Sequence, residues 1–410
     1  MAARPDRAEI LREAQAMREF IVDLALLICR ERTVNYCPSD YPGEGPDGMA
    51  SPGEEGKVAA ILKAELGRLA IPCAMHAKVP GRENLLARVG GARPGYRKLL
   101  VMLHTDVVPS GSPADWRFAP FEPFEKDGKL YGRGVLDDKG PLASAFAALA
   151  ILKAHEASLP GEFIFGAVAD EEVGSGAGVE HLLERGLIDC TDAVIPDIAG
   201  DMMEINVAEK GRLILKVRAR GRQAHAMNPS KGVSAIHALA RFLVALERHE
   251  LPHEPHPILG GPTVNTGLIR GGIAPNAVAG ECEATLDIRY VPSQSGEQIR
   301  QNLQALADAH PLAGASVEVE IFQNFSPCEV SPEAPIVRAI HKHAPGARVV
   351  GSGGGTFARP LVLAGIQAVG WAPGNEATYH EPNEEIEIDQ LTRFAGGLAN
   401  LALEVCSSLV

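Results

Sequence analysis

Short apolar runs alternate with helical patterns from about residue 52 onward, and this alternation most constrains the fold. Strand-length apolar runs separated by helices predict a mostly parallel sheet covered by helices. The strand candidates are residues 99–103, 163–168, 193–195 and 366–371, and the helix candidates are residues 54–68, 141–156, 179–185, 335–343 and 389–406. Because these elements occur both before residue 200 and after residue 325, we expect one α/β domain formed by two separate stretches of chain.

The stretch between these two parts has a different character. It reads in order as strand, helix, strand, strand, helix and strand, at residues 213–220, 233–248, 263–269, 277–290, 297–309 and 317–322. This order is typical of an α+β ferredoxin-like domain. We therefore predict an α/β domain at 1–204 and 326–410, interrupted by a ferredoxin-like insert at 205–325.

The amino-acid composition argues against some classes of binding partner. Acidic residues outnumber basic ones by 52 to 39, the formal net charge is -13, and no Lys/Arg-rich run occurs. These features argue against nucleic acid and against an anionic membrane as partners. The apolar stretch at 21–28 is interrupted by Asp23, so it predicts an amphipathic surface helix and not a signal peptide. No apolar stretch approaches the length of a membrane span.

Cysteine usage bears on the compartment. The seven cysteines are odd in number, widely spaced and without a C-x-x-C pair. This pattern argues against a disulfide framework and against a thiolate zinc site. It predicts a reducing, cytoplasmic location.

Two motifs of metal-ligand type come first along the chain. His104 and Asp106 follow the strand at 99–103, and their i, i+2 spacing puts both side chains on one face if the strand continues. A carboxylate there can hold a ligating imidazole in one tautomer, although a surface His and Asp would give the same short motif. Asp137 lies in Gly132-Arg-Gly-Val-Leu-Asp-Asp-Lys-Gly140, whose glycines allow tight turns that a helix N-cap Asp would not need.

Further acids follow the next two strand candidates. Glu171 and Glu172 come after the second strand candidate, and Asp197 follows the third. Adjacent carboxylates repel one another unless a cation or solvent relieves them, and a solvated acidic loop is the alternative interpretation. For Asp197 the alternative is an ordinary turn residue. His380 lies in a polar turn before the last predicted helix.

These residues are most informative together. Ligands of open α/β sheets bind outside the carboxyl ends of the strands, where these side chains are expected. Two imidazoles and three carboxylates suit two divalent ions and an activated water, which is the chemistry of a hydrolase. The five candidate ligands are His104, Asp137, Glu172, Asp197 and His380.

From about residue 10 to the C-terminus, the order and spacing of these motifs resemble those of a known family. It comprises the dinuclear zinc metallopeptidases and amidohydrolases, including acetylornithine deacetylase, succinyl-diaminopimelate desuccinylase, aminoacylase, glutamate carboxypeptidase and the carnosinase-type dipeptidases. The resemblance implies that Asp137 bridges two zinc ions and is followed by a cis peptide bond. It implies that His104 and Asp197 complete one site, whereas Glu172 and His380 complete the other. Mn²⁺ and Co²⁺ are alternative metals, because oxygen and nitrogen ligands accept all three ions.

The resemblance also implies roles in catalysis. Glu171 matches the general base, which takes a proton from metal-bound water and returns it to the leaving nitrogen. Asp106 matches the acid that orients His104. In the insert, His225 matches a histidine that reaches the active site, usually that of the other subunit, and donates to the oxyanion; a helix-capping loop histidine is the alternative. Asn276 matches a substrate-contacting residue, with a turn residue as the alternative.

A glycine-rich segment after residue 350 also contributes to the family resemblance. Gly355 and Thr356 resemble residues that let the backbone approach the substrate. Arg359 matches a position that can hold a substrate carboxylate with a bidentate pair, and a surface Arg after a glycine turn is the alternative. The size of the insert resembles the lid of dimeric family members, so we expect it to be a lid and dimerisation domain that forms a homodimer.

The resemblance implies cleavage of an amide bond in a small N-acyl amino acid or dipeptide that bears a carboxylate. The alternative is a hydrolase of the same fold that acts on another C–N bond, such as an amine or carbamoyl-type group. It is motivated by the irregular stretch at 33–52, which looks longer than the usual family connection and could reshape the pocket. A catalytically silent binding protein would most simply lack Glu171 or a ligand, and all six positions are filled.

Overall fold

The computed structural model describes residues 4–41, 45–375 and 378–410, apart from the side chains of residues 198 and 199. The chain divides into two compact units. The first falls within Met1–Val207, Val330–Val349 and Thr356–Val410, and the second comprises Ala208–Glu329 and Val350–Gly355. The glycine-rich segment Val350–Gly355 therefore belongs with the second unit, whereas the predicted α/β domain included all residues from 326 to 410.

In chain order, the helices are α1 (Arg7–Ala16), α2 (Arg18–Cys29), α3 (Gly56–Arg68), α4 (Lys139–Ala154), α5 (Val179–Glu184), α6 (Ala235–Leu246), α7 (Gly296–Ala309), α8 (Pro335–His343), α9 (Ala358–Leu363) and α10 (Ile388–Val405). The strands are β1 (Cys73–Ala77), β2 (Glu83–Gly90), β3 (Lys98–His104), β4 (Phe124–Lys126), β5 (Lys129–Tyr131), β6 (Glu162–Val168), β7 (Asp192–Ala199), β8 (Glu204–Glu209), β9 (Gly211–Arg220), β10 (Ala224–His225), β11 (Thr263–Gly271), β12 (Ala277–Val278), β13 (Glu281–Tyr290), β14 (Ser316–Phe325), β15 (Cys328–Glu329), β16 (Arg348–Ser352), β17 (Gln367–Ala372) and β18 (Glu385–Glu387).

The sheet of the first unit has the order β1-β2-β6-β3-β7-β17-β8. Its four central strands, β6, β3, β7 and β17, are parallel, and they are the four strands that the sequence predicted. Antiparallel pairs flank them on both sides. β3 and β6 are buried along nearly their whole length, as expected for parallel strands covered on both faces. The predicted α/β fold with a mostly parallel, helix-covered sheet is confirmed.

Helix α4 lies inside the core of the first unit. Its residues are buried almost throughout, and it packs against α2, α10 and the strands β3 and β6. Its sequence is apolar or small all round, which is typical of a buried helix. Because α4 begins directly after Asp138, the same packing fixes the end of the loop that carries Asp137.

The second unit contains an antiparallel sheet of order β11-β13-β9-β14. α6 and α7 pack with the buried side chains of β9 and β13 around one hydrophobic core. The order of these elements along the chain, β9-α6-β11-β13-α7-β14, is the predicted ferredoxin-like order. β11 is an edge strand, and all of its 9 residues are exposed.

A glycine at the start of α4 supplies a test of this packing. A Cβ atom at Gly140 would lie 1.9 Å from the backbone oxygen of Val135, whereas a Cβ at Gly67 in α3 would meet no atom within 4 Å. We expect Gly140→Ala to destabilise the protein by about 2–3 kcal/mol or more because backbone must shift. We expect Gly67→Ala to stabilise it by up to about 1 kcal/mol through helix propensity. Thermal unfolding of both variants measures this, and shifts of Tm in the same direction would contradict it.

Candidate metal centre

Three of the five predicted ligands come from neighbouring parallel strands or from the turn after one of them. His104 is the last residue of β3 and pairs in register with Val168, the last residue of β6. Glu171 and Glu172 lie in the turn after β6, and Asp197 lies in β7, which borders β3 on its other side. The carboxyl ends of adjacent parallel strands are where open α/β sheets bind ligands.

Asp137 stands between two groups of ligand atoms. Its Oδ1 atom lies 2.9 Å from Nε2 of His104, which is 3.8 Å from Oδ1 of Asp197. Its Oδ2 atom lies 3.0 Å from Nε2 of His380, which is 3.4 Å from Oε2 of Glu172. The ligand atoms of each group all lie within 4.8 Å of one another. The five candidate ligands therefore form two triples that share Asp137, and no other such group of His, Cys, Asp or Glu occurs in the described part of the chain.

The donor set fits divalent metal ions. Imidazole nitrogens and carboxylate oxygens are the ligands that Zn²⁺ and similar ions accept in proteins. The second oxygen of Glu172, Oε1, is buried and has no hydrogen-bond partner. Such an oxygen costs free energy unless another group satisfies it. A cation held by the triple that contains Glu172 would do so.

Burial governs the protonation of these acids. It raises the pKa of Glu172 and of Asp197, and nearby carboxylates raise both further. Burial also raises the pKa of Glu171 to about 8, although the charge of a neighbouring imidazole opposes the rise. At Asp137, hydrogen bonds from two imidazoles outweigh burial and lower the pKa. Buried carboxylates that repel one another are stabilised by a bound cation, since it favours their charged forms.

Asp106 is fully buried beside the first triple. Its Oδ1 atom lies 3.6 Å from Nδ1 of His104, and its backbone oxygen lies 3.0 Å from the same nitrogen. The carboxylate also accepts hydrogen bonds from the backbone amides of Glu171, at 3.2 Å, and Glu172, at 3.1 Å. Asp106 therefore faces His104 and also fixes the turn that carries the two adjacent glutamates.

Glu384 holds the loop that carries Asp137. This carboxylate is fully buried and accepts hydrogen bonds from the backbone amides of Gly134 at 3.0 Å, Leu136 at 2.8 Å and Asp137 at 3.1 Å. The guanidinium of Arg133 pairs with it at 2.8 Å. Glu384 is not among the site residues predicted from the sequence. Its position in the polar turn after His380 was the available signal, together with a glycine-rich loop whose amides need acceptors.

Local backbone geometry explains the residues around Asp137. Gly132 has φ +145° and Gly134 has φ +89°, conformations that L side chains rarely adopt. The Asp137–Asp138 peptide bond is cis, as the family resemblance implied. Oδ2 of Asp138 accepts a hydrogen bond of 3.2 Å from the backbone amide of His104. The loop and the end of β3 are thereby tied together.

The remaining predicted residues lie in two places. His225 and Asn276 are both exposed in the second unit, where His225 pairs with Ala277 and the oxygen of Asn276 accepts from Ala226 N at 3.0 Å. The structure thus brings these two residues together. Nδ1 of His225 accepts a hydrogen bond from the backbone amide of Met227 at 3.0 Å.

The glycine-rich segment crosses the boundary between the units. Gly355 belongs to the second unit, whereas Thr356 and Arg359 belong to the first. Within the first unit, the ring of Phe357 lies edge-on to the ring of His104 with 6.2 Å between centroids. Arg359, in the first turn of α9, is therefore two residues from a side chain that packs on a candidate ligand.

Comparison with known proteins agrees with this geometry. Residues 100–404 match Peptidase family M20/M25/M40. The chain is 31% identical over 358 residues to N-formyl-4-amino-5-aminomethyl-2-methylpyrimidine deformylase from Halalkalibacterium halodurans. The aligned region covers 80% of this chain and 84% of the relative. It is 30% identical over 332 residues to acetylornithine deacetylase from Myxococcus xanthus, with 79% and 84% covered.

A solved structure agrees as well. A tripeptidase from Staphylococcus aureus superposes with a TM-score of 0.73 at 23% identity, over 95% of this chain and 99% of the tripeptidase. The family resemblance inferred from the sequence is confirmed. The chain belongs to peptidase family M20/M25/M40 and is a metal-dependent hydrolase that acts on amide bonds.

Proposed function

We propose that this protein hydrolyses the amide bond of an N-acyl amino acid or dipeptide, with Glu171 as the general base. The position of Glu171 carries the proposal. Glu172, its neighbour, belongs to one of the two ligand triples, whereas Glu171 belongs to neither. A carboxylate that is next to the ligands but is not one of them is free to exchange a proton.

The two triples would hold two divalent ions, with Asp137 shared between them. When bound, such ions supply positive charge that polarises a carbonyl group and lowers the pKa of water. Glu171 takes the proton of the attacking water and delivers it to the leaving nitrogen. Asp106 keeps Glu171 in place by accepting a hydrogen bond from the backbone amide of Glu171. We propose Zn²⁺ as the metal, with Mn²⁺ or Co²⁺ as alternatives.

Arg359 is proposed to bind a carboxylate of the substrate. The contact between Phe357 and His104 supports this, because it places the start of α9 beside one triple. A guanidinium group binds a carboxylate through two parallel hydrogen bonds. His225 and Asn276 are proposed to contact the substrate from the second unit, with His225 donating a hydrogen bond to the oxyanion.

The deformylase relative favours a second candidate substrate. Its name specifies a formyl group on an aminomethylpyrimidine. A substrate of that kind is an N-acyl amine, for which a carboxylate contact at Arg359 would have no use. The two candidates therefore differ in what they require of Arg359.

We also propose a homodimer formed through the second unit. β11 is an exposed edge strand that presents Val264, Leu268 and Ile269 to solvent. On the neighbouring helix α6, Ile236 and Val244 are exposed. Edge strands with exposed apolar side chains pair readily with another chain, so a second copy is the occupant that we propose for this surface.

A cytoplasmic location is proposed as well. All seven cysteines are free, including the exposed Cys37, which suits a reducing compartment. Across the described residues, every helix is too short or too polar to cross a lipid bilayer.

Replacing the proposed base tests the mechanism. We expect Glu171→Gln to lower kcat on N-acyl amino acids by about 10²- to 10⁴-fold, because proton transfer is lost. The purified variant should still bind two equivalents of Zn²⁺, measured by elemental analysis. Glu184→Gln, at an exposed position of α5, is the matched control and should leave kcat unchanged. Unaltered turnover of Glu171→Gln would remove Glu171 from the mechanism.

Substitution of Arg359 tests the substrate class. We expect Arg359→Met to raise KM for an N-acetyl amino acid by about 10-fold or more, because a charged hydrogen-bonded pair contributes roughly 1.5–3 kcal/mol. KM for the corresponding amino-acid amide, which lacks the carboxylate, should change little. Equal effects on both substrates would favour the N-acyl amine instead.

An edge-strand substitution tests the dimer. We expect Ile269→Asp in β11 to shift the protein from dimer to monomer, because a buried unpaired charge is costly. The molar mass from light scattering after size-exclusion chromatography reports this. Ile321→Asp on β14, the strand at the opposite edge of the same sheet, is the control and should leave the mass at that of the wild type. A monomeric wild-type protein would refute the proposal.

A further inference from the structure

Asn35 belongs to the irregular stretch at 33–52 and is only 2% exposed. Its backbone amide donates to the oxygen of Val107 at 2.9 Å, and the amide of Val107 donates to the oxygen of Thr33 at 3.0 Å. These hydrogen bonds hold residues 33–35 alongside the segment that follows His104. The start of the stretch is therefore anchored next to Asp106.

The side-chain amide of Asn35 joins two carboxylates. Nδ2 donates to Oδ2 of Asp106 at 2.8 Å and to Oδ1 of Asp170 at 3.1 Å. An amide NH₂ group has two hydrogens, and both are used here. Hydrogen bonds to charged acceptors are stronger than those between neutral groups. Asn35 thus stabilises two acids that would otherwise face each other across a buried space.

The two acids flank the turn that carries Glu171 and Glu172. Asp106 accepts hydrogen bonds from the backbone amides of both glutamates. Asp170 immediately precedes them and has φ +70°, a conformation that a residue with a side chain holds only when its surroundings enforce it. Bonds on either side of Asp170 supply that restraint.

Three further contacts hold Asp170. Arg82 pairs with Oδ1 of Asp170 at 3.0 Å, and Oδ2 accepts the backbone amide of Ala177 at 2.8 Å. The backbone amide of Asp170 itself donates to Oε1 of Glu55 at 3.2 Å. Asn35 completes this set by linking Asp170 to Asp106. Without that link, the two supports of the turn are independent of each other.

We propose that Asn35 is a positioning residue, which holds Glu171 and Glu172 in place by bridging Asp106 and Asp170. This inference rests on the proposed function only through the roles given to Glu171 and Glu172. Asn35 acts through the two aspartates and does not touch the substrate. Its loss lets the turn relax, and a displacement of about 1 Å at reacting groups can cost roughly 10²-fold in rate. The role also explains why the irregular stretch starts beside the site.

The test compares Asn35→Ala with Asn400→Ala in the full-length protein. Asn400 is equally buried, and its Nδ2 donates to the oxygen of Gly396 at 3.0 Å within α10, so its loss removes a buried amide away from the site. Zn²⁺ binding is measured by competition with a chromophoric chelator, without any substrate. The values of kcat and KM are measured on an N-acetyl amino acid.

We expect Asn35→Ala to weaken one of two Zn²⁺ equivalents by about 10- to 100-fold and to lower kcat by a similar factor, as for other residues that support metal ligands. KM should stay within about threefold, since substrate contacts are retained. Asn400→Ala should match the wild type in all three. Wild-type Zn²⁺ affinity and kcat in a folded Asn35→Ala protein would overturn the proposal.

A second variant covers a folding failure. If Asn35→Ala does not fold, Asn35→Ser replaces it, because a serine hydroxyl has one donor and cannot bridge two carboxylates. Its expected Zn²⁺ and kcat losses are the same, and wild-type values would again overturn the proposal. If the wild type cleaves none of the substrates, the proposed substrate class fails, whereas the Zn²⁺ affinities still decide the role of Asn35.

Discussion

The shared carboxylate of Asp137 is the constraint on which the rest of the site depends. Its two oxygens face different imidazoles, at 2.9 Å and 3.0 Å, so neither oxygen can turn away without losing a partner. The surrounding protein restricts it from two directions. Glu384 binds the amides of the loop before it, and α4 begins in the core directly after Asp138. Apolar packing and polar bonding thus converge on one side chain, as a preorganised site requires.

Most carboxylates that support the site are satisfied by backbone amides. Asp106 accepts hydrogen bonds from the backbone amides of Glu171 and Glu172. Asp138 accepts one from the amide of His104, and Glu384 accepts several from the loop that carries Asp137. An amide stabilises a negative charge by hydrogen bonding but carries no net charge of its own. The negative potential of an acid such as Asp106 is therefore preserved, whereas the guanidinium of Arg133 offsets that of Glu384. Such a potential attracts divalent cations and raises their local concentration.

Local sequence patterns predicted the elements, the candidate ligands and Asp106, but not the other residues that support the site. The central strands were recognisable because buried parallel strands are continuous apolar runs, and every candidate ligand except His380 lies soon after such a run or in a glycine-rich loop. Asn35, Glu55 and Glu384 were missed because each acts through hydrogen bonds to residues far away along the chain, which leave no periodic signal. The assignment of Val350–Gly355 to the second unit was missed for the same reason. Arg289 donates a hydrogen bond to the oxygen of Gly353 at 2.9 Å and helps to fix that segment.

The span of chain between Asn35 and Glu384 has a consequence for how the protein is made. During synthesis the N-terminal residues leave the ribosome first and the C-terminal residues last. The loop that carries Asp137 has its acceptor, Glu384, far downstream in the chain, so the amides of that loop lack this partner until residue 384 has been synthesised. The strands of the sheet can assemble earlier, whereas the metal centre closes last. A chain cut short before Glu384 would therefore have the strands of the sheet without the acceptor that orders the loop at Asp137.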